Sequence, residues 1–582
     1  MIPSEPQKGA DITDVGDKSL APFGLRGSIR QYGLILVTYI LATAFTNADF
    51  MGDTIDYVTS IVWIREGRYY YFWEFAHVLW RPFGWLVAVL FTPLTRLIMG
   101  DDQYANVTLQ LLIVSWLFGL LMVLLCYGLV KRITGREWIA NIVTIAMILS
   151  QGFLVYAQSG TPYVPGLALL FLGVYILLMH GDEPKRPVLT ALFAGAALAV
   201  SLGFWVTYML AIPAALISPL FVLGFNRKRL RLILLTAVIC AGVTAVAYGL
   251  VMAHVGIYTL SGVRSWMSIS AEAAFIPRGG IPRTVFGFAR SFISMGNEGT
   301  IFKRFLTHDP FNPVSFSELL RLSLWKLALF YVFFTAITVN LLRFRAGRKI
   351  LGLLIISMIP VIALAFLVEG GAVDRYLPMF PFIFLALAYS LSSSRSLSAL
   401  NIAALVFFAA ATITNVSVLA KPVLDKEQEK AAARVRDLQP RLKPETILLT
   451  VNVRDELVNF SRSFPLHPFN LDHEHRLRVL SIISPGREDV PRWRNVLASS
   501  ILTAWAYGGE AWMSKRALSS RPRPEWGWVQ SDDPRISWTD IYDFVSQLEM
   551  SESVGGEDGF MLVSPSPQNR KFLSEWGQVE IL

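Results

Sequence analysis

Between Tyr32 and Ala420 the chain returns again and again to apolar runs, each about as long as the 20 or so residues a helix needs to cross a bilayer. No arrangement in water buries so many such runs, and in hydrocarbon each must satisfy its own backbone hydrogen bonds, which selects helices. The runs fall at 32–47, 105–130, 138–157, 161–179, 188–204, 206–224, 231–252, 323–342, 350–368, 376–392 and 397–419. The expected fold class is therefore an α-helical polytopic membrane protein of about 11 transmembrane helices. Only 16% of residues are charged, against roughly a quarter in soluble proteins, which excludes an ordinary soluble enzyme. Cys126 and Cys240 both lie inside apolar runs and offer neither a disulfide framework nor a metal-ligand spacing.

A further apolar stretch, 82–99, carries Thr92, Thr95 and Arg96 in its second half. Charge decides its reading. If it does not cross, the short loops separate into two sets. One set holds Lys131, Arg132, Arg136, Lys185, Arg186, Arg227, Lys228, Arg229, Arg231, Arg343, Arg345, Arg348, Lys349 and Arg395. The loops near Ser159, Trp205 and Val373 hold only Arg375. Basic loops stay in the cytoplasm, so the expected topology puts the N-terminus there and makes 82–99 an interfacial or re-entrant segment. The net charge of +9 then reports topology rather than a nucleic-acid site.

The expected organisation is a cytoplasmic tail (1–31), a transmembrane domain (32–420) with outer loops at 48–104 and 253–321, and a soluble extracytoplasmic domain (421–582). In the last part "TILLTV" (446–451), "RVLSII" (478–483) and "GFMLVS" (559–564) read as strands, and "TDIYDFVSQLEM" (539–550) as a helix with Thr539 as N-cap. A small α/β domain is expected.

The first outer loop concentrates the chemistry. Asp49, Asp53 and Asp56 follow the first span, and Asp53 and Tyr57 share a helical face. Glu74 and His77 stand three apart, and Arg81-Pro82 opens the interfacial segment. Two potential ligands at one spacing do not make a metal site. Helix capping by Asp53, headgroup anchoring by Arg81 and pairing of Arg375 with Asp374 are the structural alternatives for these groups.

"GDTIDY" (52–57), then "WRPFGWLVAVLFTPLTRLIMG" (80–100), then a span ending in "LVKRITGRE" (129–137), resembles the N-terminal half of GT-C glycosyltransferases. More narrowly it is similar to the family of protein O-mannosyltransferases and the lipid A aminoarabinose transferase. Asp53 and Tyr57 match that family's Asp-x-x-x-Tyr element, and Arg81 and Pro82 its basic-Pro-Pro element, with Phe83 in place of the second proline. Arg375, Tyr376, Pro378 and Pro381 in "EGGAVDRYLPMFPFIF" (369–384) match its Arg-Tyr-x-x-Pro-x-x-Pro motif. "SGTPYVPG" (159–166) falls where relatives often carry an acid and has none.

The resemblance implies a glycosyltransferase using a polyprenyl-phosphate sugar donor, hexosyl or pentosyl, and an acceptor hydroxyl on a glycan, lipid or protein. The chemistry agrees. Nucleotide sugars are cytoplasmic, whereas a lipid-linked sugar reaches the outer face. The transfer needs a carboxylate to take the acceptor proton, expected at Asp53, and would invert the anomeric carbon. It also needs a cation for the leaving phosphate, expected at Arg375, with Arg81, Lys303 and Arg304 as further donor-phosphate contacts. Asp49, Tyr57, Glu74, His77 and Tyr376 are the expected substrate contacts. The leaving group is already activated, so no cofactor is obligatory, although a divalent cation would be compatible. A transporter or lipid-linked sugar flippase is the alternative class, but it should place ionisable residues at midplane. A non-catalytic envelope scaffold using 421–582 is the other.

Overall fold

The structure, a computed structural model, describes residues 25–47, 52–65, 72–181, 186–271, 280–295, 300–306, 308–393, 399–420, 437–443, 445–451, 478–482, 490–522, 537–556 and 559–579. Asp49 lies outside the described residues, as does the side chain of Lys303.

Each apolar run has become helix. In order they are α1 (Leu25–Phe45), α2 (Gly52–Arg65), α3 (Trp80–Met99), α4 (Gln103–Thr134), α5 (Glu137–Ile148), α6 (Gln151–Tyr156), α7 (Tyr163–His180) and α8 (Pro187–Phe204). Next come α9 (Ile212–Val222), α10 (Arg227–Val255), α11 (Leu260–Ala271), α12 (Ile281–Arg290) and α13 (Thr300–Leu306). The bundle closes with α14 (Phe316–Leu319), α15 (Trp325–Leu342), α16 (Arg345–Leu367), α17 (Phe380–Ser393) and α18 (Ala399–Val418). Among the described residues nine helical stretches, α3 included, are long and apolar enough to cross a membrane.

Two expected spans are broken. The run 138–157 splits at Leu149–Ser150 into α5 and α6. The break is stabilised because Asn415 donates to the Leu149 carbonyl at 2.7 Å, and the Gln151 and Gly152 amides donate to Phe292 and Ser291 at 3.2 and 2.9 Å. Irregular backbone at membrane depth persists only where protein groups satisfy it. The run 206–224 begins as a 3-10 turn, Val206–Leu210, before α9 starts with Pro213 in its first turn.

The basic loops gather at one end of the bundle. Arg229 donates to the carbonyls of Gly181, Leu223 and Gly224. Arg136 reaches Ser392, and Asn340 bonds Ser390. The start of α4, the end of α8 and the 369–375 loop lie at the opposite end. α4 and α7 run parallel, with Ser115 bonding the Thr161 carbonyl and Gly128 lying against Tyr175. α8 returns antiparallel, with Ser201 bonding Gly166 and Leu198 packed on Gly173.

This frame places α3. The Leu79 amide before it donates to Gly203 at the end of α8 (2.9 Å), and Gly100 after it accepts from Asn106 near the start of α4 (2.9 Å). α3 packs antiparallel along the first half of α4, from Phe83 beside Phe118, through Thr95 bonded to Gln110, to Gly100 bonded to Asn106. Trp80, Gly84, Ala88 and Thr95 face the protein, while Leu90, Leu94, Leu97 and Ile98 are exposed.

The C-terminal part is a five-stranded sheet in the order β2-β1-β3-β5-β4. Its strands are β1 (Ile447–Thr450), β2 (Arg478–Ser481), β3 (Ala511–Ser514), β4 (Met550–Val554) and β5 (Phe560–Val563). β1 pairs in parallel with β2 and β3, and β5 pairs antiparallel with β3 and β4. Alternation sends Ile447 and Leu449 into one core with Trp493, Ile501 and Phe544, and Leu448 into a second with Trp512 and Phe560. Helices α19 (Val490–Ala506), α20 (Trp538–Ser546) and α21 (Pro567–Gly577) complete it. The N-cap of α20 is Ser537, not the expected Thr539. Ser537 and Asp540 form a reciprocal capping box, which satisfies two amides where Thr539 would satisfy one. The residues expected to end that helix turn into β4, so it stops at Ser546. The domain is tied to the bundle by Asn312, which donates to the Pro522 carbonyl at 2.9 Å, and by Phe311, which packs on the larger core.

Candidate active site

α2 begins at Gly52, so Asp53 sits in its first turn, where an acid is favoured, and Tyr57 follows one turn later. Tyr57 is buried, and its hydroxyl lies 3.2 Å from His77 Nε2. His77 Nδ1 lies 2.8 Å from the Phe204 carbonyl, which can only accept. Nδ1 therefore carries the imidazole proton and Nε2 accepts from Tyr57. Burial agrees with a neutral ring, pushing the His77 imidazole below its usual value against the pull of Glu74. Burial, with Asp53 and Glu74 beside it, holds the Tyr57 phenol well above its usual value.

Arg81 is not offered to a ligand. Its side chain is 6% exposed, and its guanidinium pairs with Glu74, donates to Ser60 Oγ at 3.2 Å and covers the Tyr57 ring at 4.9 Å. Although burial disfavours its charge, Arg81 and His77 hold the Glu74 carboxyl below the usual range. Glu74, His77 and Arg81 thus brace the loop under Tyr57. Arg81, expected as a phosphate contact, and Glu74 and His77, expected as substrate contacts, are thus brought together with one another and with Tyr57. The charges of Glu74 and Arg81 face each other, and the two ring nitrogens of His77 face Tyr57 and Phe204.

Two further expectations are redirected in the same way. Arg304 donates to the Asn312 carbonyl at 2.7 and 3.1 Å and pairs with Asp309, bracing the loop that holds the C-terminal domain. Tyr376 is fully buried, its hydroxyl 2.6 Å from the Gly370 carbonyl, so it fixes the 370 turn.

Asp53 and Arg375, far apart in sequence, are joined by aromatic rings. Tyr163, the first residue of α7, donates its hydroxyl to Asp53 Oδ2 at 2.7 Å. Its ring meets Tyr156 edge to face at 4.9 Å and Trp205 at 4.7 Å. The Arg375 guanidinium lies 5.6 Å from the centre of the Trp205 ring. Arg375 also faces Glu369 at 3.5 Å and Asp374 at 3.7 Å, and Tyr156 donates to Asp374 at 3.4 Å. The result is a carboxylate and a cation at the end of the bundle opposite the basic loops, separated by a shelf of aromatic rings.

Tyr163 reaches Asp53 because the chain before it turns sharply. Gly160 has φ +69°, and Thr54 Cγ2 would stand 3.0 Å from any Cβ there. Thr54 in turn bonds the Ser159 carbonyl, locking α2 to the turn. Sequence reasoning missed Tyr156, Tyr163, Trp205 and Tyr208, because nothing local distinguishes them from other aromatics at span ends. It weighed Asp374 only as a partner of Arg375. Among the described residues no three His, Cys, Asp or Glu side chains converge to hold a metal ion.

No family model and no curated protein sequence matches this chain. Solved structures do. ArnT from Cupriavidus metallidurans, bound to undecaprenyl phosphate, superposes with a TM-score of 0.51 at 13% identity, over 94% of this chain and 99% of that one. The apo form of the same protein gives 0.51 at 12% identity, over the same shares. The Archaeoglobus fulgidus oligosaccharyltransferase gives 0.48 at 14% identity, over 84% of this chain and 70% of that one. The likeness to ArnT shows the fold: this chain has the same overall architecture as that structure.

Proposed function

We propose that this chain is an integral-membrane glycosyltransferase that moves a sugar from a polyprenyl-phosphate carrier to an acceptor hydroxyl on the extracytoplasmic face. The observation that carries the reading is the convergence of Asp53 and Arg375 through Tyr163 and Trp205 at the end of the bundle opposite the basic loops. The solved ArnT of the same fold holds undecaprenyl phosphate, which supports a lipid-linked donor.

In this reading Asp53 takes the acceptor's hydroxyl proton as the oxygen attacks the anomeric carbon. The bond from that carbon to the phosphate oxygen breaks on the opposite side, and Arg375 neutralises the departing phosphate. One displacement inverts the anomeric centre. Tyr57 takes part as an acceptor, since its proton is already given to His77. An apolar groove of about 590 Å³ between α12 and α16, lined by Thr284, Ile355, Ile359 and Phe366, would accommodate isoprenoid chain beside the loop that carries Glu369. The N-terminus and basic loops are then cytoplasmic, and residues 421–582 extracytoplasmic.

The test is transfer in vitro by full-length protein in lipid nanodiscs, with a panel of polyprenyl-phosphate hexoses and pentoses and with lipid, glycan and peptide acceptors. Wild type should transfer, Asp53→Asn should fall by at least about a hundredfold, and Arg375→Ala should lose donor saturation. Full activity in Asp53→Asn, or movement of the donor across a vesicle without transfer, would overturn the reading.

A further inference from the structure

We propose that Glu369 makes the Arg375 site release its product, by disfavouring a phosphate monoester more than the diester donor. The inference rests on the functional reading above in giving Arg375 the donor phosphate. Nε and Nη2 share one edge of a guanidinium, the edge that meets two oxygens of a single anion. In Arg375 two carboxylates divide that edge, Glu369 facing Nη2 at 3.5 Å and Asp374 facing Nε at 3.7 Å. Both distances exceed the roughly 2.7–2.9 Å of a tight charge-assisted bond. One phosphate with two oxygens on the edge is the better ligand, and a carboxylate has to yield to it. Glu369 is the one placed to yield. Its side chain is 35% exposed, against 11% for Asp374, which also accepts from Tyr156.

The charge of the phosphate then decides how strongly Glu369 opposes it. The donor is a phosphodiester with a single negative charge. In the transfer the bond from the anomeric carbon to the phosphate oxygen breaks, the electron pair stays on that oxygen, and Asp53 takes the acceptor's proton. The lipid product is a monoester, whose charge approaches two. Repulsion from the Glu369 carboxylate grows in proportion to that charge. Glu369 therefore weakens the product more than the donor, and returns to Arg375 as the product leaves. The backbone around it is fixed without its side chain. Tyr376 donates to the Gly370 carbonyl at 2.6 Å, and Arg290 to that of Gly371 at 3.3 Å. Phe366, earlier on the same connection, lines the apolar groove, which puts this turn beside the proposed isoprenoid path.

The test compares two lipids that differ by one methyl group and one charge, undecaprenyl phosphate and its methyl ester. Equilibrium binding of each to full-length protein in lipid nanodiscs is read by native mass spectrometry at about pH 8, where the monoester is doubly charged. Glu369→Gln keeps the shape of the side chain and removes its charge. It should tighten both lipids, and undecaprenyl phosphate roughly three- to tenfold more than the ester. Glu369→Asp keeps the charge and should leave the ratio of the two affinities near that of wild type. In the transfer assay, undecaprenyl phosphate should inhibit Glu369→Gln at correspondingly lower concentration than wild type. An unchanged ratio in Glu369→Gln, an equal shift in Glu369→Asp, or equal weakening of both lipids, which a purely structural brace predicts, overturns the inference whether or not the protein transfers sugar. Absence of transfer by wild type, with the shift in ratio present, overturns the functional reading alone. Binding of neither lipid by wild type overturns both.

Discussion

The guanidinium of Arg375 and the indole of Trp205 form a stacked pair, 5.6 Å from cation to ring centre, and Tyr163 packs on the same indole at 4.7 Å. One aromatic ring therefore sets the position of the cation and, through Tyr163, of the carboxylate. Cation–π contacts contribute about 0.5–2 kcal/mol. Replacing Trp205 by leucine should raise the donor KM roughly 3- to 30-fold, and by phenylalanine less, in steady-state transfer assays. Unchanged donor KM in both variants would mean that Arg375 holds its place without the ring.

Arg81 and Glu74 make a second kind of prediction, about stability. Removing one partner of a buried ion pair leaves an uncompensated charge, at a cost of about 3–5 kcal/mol. Arg81→Met should lower the thermal midpoint markedly, and Arg81→Met with Glu74→Gln should recover much of the loss. A donor-phosphate contact predicts the reverse pattern: normal melting and a raised donor KM.

His77 carries a pH signature. Burial holds the folded imidazole below its ordinary value of 6.5, so the unfolded chain binds a proton that the folded chain refuses. This contribution to stability is present above about pH 6.5 and is lost as pH falls below it. Glu74, held below its ordinary value of 4.5, adds a second loss as pH falls further. His77→Gln should flatten the first part of the decline in thermal midpoint between pH 7 and pH 5, measured by intrinsic fluorescence. An identical slope in wild type and variant would remove His77 as its source.

Gly160 should tolerate no side chain. An L residue in the left-handed region costs roughly 1–2 kcal/mol, and a Cβ would meet Thr54 at 3.0 Å and Leu111 at 3.2 Å. Gly160→Ala should displace α2 from the turn and depress kcat more than donor KM, because the Tyr163–Asp53 contact is what the turn sets.

Residues 304–312 should govern the C-terminal domain. Asn312→Ala removes the bond to Pro522, and Arg304→Ala removes the brace on its loop. Both should increase protease sensitivity between the bundle and the domain, checked by limited proteolysis of full-length protein.

The positions of most helices were legible because a bilayer imposes a length on every apolar run, and the Asp53–Tyr57 spacing was legible because helical period is local. The break in 138–157 was not, since it depends on Asn415 arriving from 266 residues away to satisfy the freed Leu149 carbonyl. Arg81 shows the same limit from the other side. Its sequence context fits a phosphate ligand equally well, and only the fold reveals that Glu74, Ser60 and Tyr57 enclose it.

The sequence by itself determined a polytopic helical chain, and from it came the expectation that Asp53 and Arg375 act together. Tertiary structure decided which charges remain available. Glu74, Arg81, Arg304 and Tyr376 meet partners within the protein, while Tyr163 and Trp205, unremarkable in sequence, join Asp53 to Arg375. The physical reason is that residue type and local spacing fix what a side chain could do. Which partner reaches it first depends on contacts between elements distant in the chain.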